Sequence, residues 1–109
     1  MKATVVRMDG EVDMASRSML EGIAGLARSS QIVVMDVARL KYADTTFLRF
    51  LIGMKKDGVD VRLVGLSAHC RRVFEVTGLA SQFRTYERTA DATHDAGSVE
   101  WLVPKHAIA

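Results

Sequence analysis

The sequence predicts an α/β domain in which right-handed strand-helix-strand crossovers carry helices over a mostly parallel sheet, with an antiparallel first strand at its edge. Three observations lead there. The run Ile32-Val33-Val34-Met35-Asp36-Val37 is apolar at successive positions, as a strand covered on both faces must be. Short β-rich segments alternate with segments whose apolar residues recur every three or four positions. The chain has 109 residues, 49% of them hydrophobic, which suits one core and is too short for two ordinary ones.

Taken in order, 4–8 reads as a strand, Asp9-Gly10 as a tight turn and 11–13 as a second strand. Asp-Gly between such segments favours a two-residue hairpin, so the first two strands are expected to be antiparallel neighbours. Ser16 or Ser18 can cap a helix to about Arg28, carried by Met19, Leu20, Ile23, Leu26 and Ala27. Gly22 and Gly25 weaken that helix intrinsically, so packing must hold it. After the strand at 32–37, Asp44-Thr45-Thr46 opens a second helix through Lys56, which Asp57-Gly58 stops. A strand at 59–64 follows. Ser67 then caps a third helix, with Cys70, Val73, Phe74 and Thr77 on one side and Gly78-Leu79 closing it. Residues 83–86 form a short strand candidate, Thr89 a cap for a helix to 93 or 94, and 99–103 a terminal apolar segment. The reading is of one domain over 1–109 with 104–109 a loose tail.

Composition narrows the function. Fifteen Lys and Arg against thirteen Asp and Glu leave a net charge of +2, and no basic cluster exceeds Lys55-Lys56 or Arg71-Arg72, so direct nucleic-acid binding is not expected. No apolar run approaches the roughly 20 residues a membrane helix needs, and 1–7 is interrupted too soon for a signal peptide. One cysteine excludes an intrachain disulfide framework, and the expected location is the cytoplasm.

Catalytic and metal motifs are not found. There is no phosphate loop or dinucleotide signature, and His69, His94 and His106 have no zinc-ligand spacing, so no cofactor or metal is expected. Cys70 neighbours His69, but adjacent helical residues point apart, and its alignment with Val73 and Phe74 favours packing. Asp13, Asp36 and Asp44 fall near strand ends, as carboxylates do in some magnesium sites; turns and capping account for them without a metal. No nucleophile-base or acid-base pair remains, and the protein is not expected to be an enzyme.

Three pieces together carry a family resemblance: Gly10-Glu11-Val12-Asp13, then Val33-Val34-Met35-Asp36-Val37 leading to Asp44-Thr45-Thr46, then the run from Arg71 to Leu79. Over about 4–86 the chain resembles the STAS family, named for sulfate transporters and anti-sigma-factor antagonists. The resemblance implies a STAS-like mixed sheet of four or five strands, helices mainly on one face, and a signalling hydroxyl at the head of the second helix. In the bacterial antagonists the hydroxyl residue after the Asp is phosphorylated by a partner that is both anti-sigma factor and histidine-kinase-like serine kinase. Phosphorylation abolishes binding and a phosphatase resets it. Carried here, the phosphoacceptor is Thr45, with Asp13 and Asp44 near it. Thr45 stands where the family usually has Ser, and Phe47 where it usually has Gly; Phe47 would either fill core space or stand at the docking edge.

At 100° per residue, Phe47, Leu48, Leu51, Met54 and Lys55 form an inward arc, while Thr45, Arg49, Gly53 and Lys56 lie opposite. Phe50 sits at the boundary beside Thr46 and Gly53, placed either to meet a partner or to close the core. The expected partner-binding residues are Asp13, Asp44, Thr46, Arg49, Phe50 and Gly53. The expected function is an anti-sigma-factor antagonist switched off at Thr45. The alternatives are a small STAS subunit contacting the ATPase or permease of an ABC-type transporter or lipid-trafficking complex, and a scaffold in another bacterial signalling complex.

Overall fold

A computed structural model describes residues 1–12, 14–27, 29–43 and 45–102. Its elements run β1 (Lys2–Val12), a 3-10 turn (Met14–Ser16), α1 (Arg17–Ala27), β2 (Ile32–Ala43), α2 (Thr45–Lys56), β3 (Asp60–Val64), α3 (Ala68–Val76), β4 (Arg84–Tyr86), α4 (Thr89–Ala92) and β5 (Ser98–Leu102). The strands form one five-stranded sheet in the order β4-β3-β2-β1-β5, with every neighbouring pair parallel.

The expected hairpin does not exist, and the sheet is not mixed. Residues 2–12 are one strand, paired in parallel with β2 from Ala3↔Ile32 to Val12↔Ala43. Gly10 does adopt the left-handed conformation that suggested a turn, with φ of 72°. It uses that freedom for an irregularity inside the strand: the register shifts between Arg7 and Asp9 and again between Gly10 and Glu11. A bulge and a two-residue turn ask for the same backbone angle, so Asp-Gly alone does not separate them. The first strand therefore lies inside the sheet, and the terminal apolar segment supplies the edge as β5, from Lys2↔Ser98 to Val6↔Leu102.

Alternation along the strands divides the core in two. On one face Val6, Met8, Val33, Met35, Val37, Val61 and Leu63 meet Leu20 and Ile23 of α1, Phe47, Leu51 and Met54 of α2, and Phe74 of α3. On the other, Ala3, Val5, Ile32, Val34 and Val64 are sealed by Ala92 of α4, with Tyr86 and Ala96 packed beside them. The continuous apolar character of 32–37 is thereby accounted for: both faces are covered, one by three helices and one by a single turn of helix. Ser67 caps α3, its Oγ accepting from the Cys70 amide at 3.1 Å.

That second cover is held by Arg62, which sits in β3 among apolar residues and is only 1% exposed. Its Nη1 donates to the Ala92 carbonyl at 2.9 Å and to Asp95 Oδ1 at 2.6 Å; its Nη2 donates to Asp95 Oδ2 at 3.0 Å and to Asp60 Oδ2 at 2.9 Å. A buried guanidinium needs this degree of pairing, because desolvation otherwise costs several kcal/mol. The hydrogen bonds from Arg62 hold the Asp95 carboxyl down at about 2, and the two carboxylates raise Arg62 above its ordinary value.

A candidate docking face on the second helix

α2 begins directly beyond the carboxyl end of β2, so its first turn lies at the carboxyl edge of the sheet. Phe47, Leu51 and Met54, spaced four and three apart, point into the core. Burying each contributes roughly 1.5–3 kcal/mol, which outweighs the ~1 kcal/mol that a mid-helix glycine costs at Gly53. Glycine is therefore tolerated on the outward side.

Phe47 is 3% exposed and stacks on Phe50, with ring centroids 6.3 Å apart. The departure from the family pattern thus fills core space and adds no bulk to the outer face. Lys55, expected on the inward arc, is instead exposed, with its side chain lying over apolar surface: its Nζ is 5.4 Å from the Phe83 ring centroid and donates to the Gln82 carbonyl.

Thr45 is exposed at the head of the helix. Four of the six residues expected to meet a partner, Thr46, Arg49, Phe50 and Gly53, line one groove of about 360 Å³ between α1 and α2. Thr46 and Phe50 are partly buried, Arg49 and Gly53 exposed. The other two, Asp13 and Asp44, lie outside the described residues.

The opposite wall escaped the sequence reading. It is made by Arg17, Leu20, Glu21 and Ala24 of α1, with Met54 and Asp57 extending the α2 side. A signal was present: Arg17 and Glu21 are four apart at the border of the apolar stripe, and they pair at 3.5 Å. Which helix they would face depends on strand order, which the first helix alone does not reveal.

The groove has an apolar floor of Leu20, Ala24, Phe50 and Met54 and charged rims. Among the described residues, no group of three or more His, Cys, Asp or Glu is arranged to hold a metal ion. Of the three aspartates at strand ends, the described one, Asp36, pairs with Arg7 at 3.6 Å and accepts from the Ala38 amide at 3.2 Å. Among the described residues no helix is long and apolar enough to cross a membrane.

Comparison with known proteins agrees with this architecture. The family described as "Mlab, STAS domain" matches residues 1–85. The chain belongs to the STAS domain family.

Among solved structures, an anti-sigma factor antagonist from Mycobacterium paratuberculosis superposes with a TM-score of 0.71 at 23% identity, covering 83% of each chain. SpoIIAA, an anti-sigma factor antagonist, in its unphosphorylated form gives 0.70 at 19% identity over 87% of this chain and 90% of its own. The STAS domain of a SulP transporter from Vibrio cholerae gives 0.65 at 17% identity, over 83% and 77%. At these identities the likeness is one of fold. No curated protein matches the sequence.

Proposed function

We propose that this chain is a non-enzymatic, protein-binding regulatory domain of the antagonist type: it binds a kinase-like anti-sigma factor through the outer face of α2 and is released when Thr45 is phosphorylated. The observation that carries the reading is the exposure of Thr45 at the head of a helix whose Thr46, Arg49, Phe50 and Gly53 line a single groove. A phosphate there brings roughly −1.5 to −2 charge to the rim of the docking face. Arg49, one turn on, is within reach of it. The added bulk and charge then oppose a closely packed partner.

The test has two arms. Incubation with the cognate kinase-like anti-sigma factor, followed by peptide mass spectrometry, should place phosphate on Thr45; modification only elsewhere removes the assignment. Thr45→Glu should lose that partner while its unfolding free energy stays within about 0.5 kcal/mol of the parent, since the site is exposed.

A second reading draws on the family description, which carries the name Mlab, and on the likeness to a SulP transporter's STAS domain. In that reading the same face contacts the ATPase of an ABC-type transporter or lipid-trafficking complex. Retention of a permease or an ATPase by both the parent and Thr45→Glu would favour it.

A further inference from the structure

The groove between α1 and α2 has a direction. Each helix returns the chain from the carboxyl end of one parallel strand to the start of the next, so the two run the same way and the furrow follows both axes. Arg49 stands toward its upper end, by the helix starts, and Asp57 at its lower end, roughly 12 Å further along. Arg17 and Glu21 face one another as a surface pair at 3.5 Å. Among the described residues, neither Arg49 nor Asp57 makes an ion pair, so the rim presents one uncompensated charge of each sign.

Between them the floor is apolar, and Gly53 leaves it unobstructed: a Cβ built there meets nothing within 4 Å. A single-headed amphiphile suits this poorly, because it offers a charged partner to one end of the groove and leaves the charge at the other end unmatched. An amphipathic helix suits it well, with an apolar face for the floor and polar residues at both ends for the rims.

We infer that the groove receives one amphipathic helix of the partner protein, lying antiparallel to α1 and α2, with an acidic side chain in its last turn against Arg49 and a basic one in its first turn against Asp57. The inference rests on the reading of the α2 face as the binding face, and it names what that face binds. The orientation follows from charge: the negative end of the incoming helix dipole meets Arg49 and the positive end meets Asp57. Such a helix carries its own end charges against its dipole, so it is weakly helical alone and orders on docking. Phosphate on Thr45 would compete with the incoming acid for Arg49, which ties the docking geometry to the switch.

Two labelled 16-residue peptides of identical composition test this, with leucines at i, i+3, i+4 and i+7. One carries Lys in its first turn and Glu in its last; the other has them exchanged. With both peptides held helical by an i,i+4 side-chain staple on the polar face, the Lys-first peptide should bind about tenfold more tightly by fluorescence anisotropy. Arg49→Glu combined with Asp57→Lys should reverse the preference. Gly53→Leu, whose Cβ would meet nothing within 4 Å, should weaken both peptides by about tenfold or more while the fold persists by circular dichroism.

Equal affinity for the two peptides, no binding by either, or binding indifferent to Gly53→Leu each overturns the inference. A whole partner protein captured equally by the parent and by Gly53→Leu, yet lost with Thr45→Glu, would remove the groove and leave the protein-binding reading in place. Peptide selectivity as expected, with a partner indifferent to Thr45→Glu, would keep the groove and remove the switch.

Discussion

On one side of the sheet α1 and α2 leave a furrow rimmed by Arg49 and Asp57; on the other, Arg62 is sunk among valines and its two terminal nitrogens make four hydrogen bonds to Ala92, Asp95 and Asp60. Both places combine apolar surface with charge. They differ in whether the charge is satisfied internally. Where it is, the arrangement holds a segment of the chain down; where it is not, the arrangement has capacity left for another molecule. Internal pairing of charge, more than burial alone, therefore separates the clamp, where Nε is the one Arg62 nitrogen left without a partner, from the groove, whose end charges make no ion pair among the described residues.

The contrast is broken most severely within α2 itself. Phe47→Ala should cost about 3–5 kcal/mol by denaturant titration, because it empties a fully packed site. Phe50→Ala, on the partly buried border of the groove, should cost about 1–2 kcal/mol and show its larger effect in partner binding. If the two substitutions cost the same, the division of the helix into a core side and a groove side is wrong.

Next comes the clamp. Arg62→Ala should destabilise by about 1–3 kcal/mol, less than a fully enclosed ion pair would imply, since Asp60 and Asp95 can each turn to water once released. Arg62→Met should recover most of the loss. Neither should alter docking at α2.

A pH series sharpens the same point. Asp95 has its carboxyl at about 2 in the folded chain against 3.8 unfolded, so its contribution is present above about pH 4 and is lost as pH falls towards 2. Acid titration of stability should show this decline in the parent and a flatter profile in Arg62→Met. The smallest effect expected is at the sheet edge, where Arg7 lies 5.2 Å from the half-exposed Trp101 ring: Trp101→Leu should cost about 0.5–1 kcal/mol.

How much of this was legible beforehand depends on the range of the interaction. α2 was readable because Phe47, Leu51 and Met54 declare one side of a helix within eight residues, and α3 because Ser67 and Gly78-Leu79 bracket it locally. Thr46, Arg49, Phe50 and Gly53 could be gathered onto one face by the same periodicity. The α1 wall of the groove could not, since strand order decides which helices adjoin.

Asp9-Gly10 misled for a different reason: the local signal was read correctly as positive φ, and the chain used it for a bulge. Arg62 gave no warning at all. A single cation in Val59-Asp60-Val61-Arg62-Leu63-Val64 looks like a solvent-facing residue until Asp95, 33 positions later, folds over it.

The clamp also bears on the order in which the molecule assembles. β5 joins β1 through partners at opposite ends of the described chain, Lys2 with Ser98, and so carries the longest loop closure in the sheet. Once Arg62 has captured Ala92 and Asp95, only residues 96 and 97 separate the tether from the start of β5, and the search for β1 becomes a local one. The last strand should accordingly zip on after the clamp forms and open with it. In native-state hydrogen exchange, the amides of 98–102 should lose protection together with those of 89–96, while the amides of α2 remain shut.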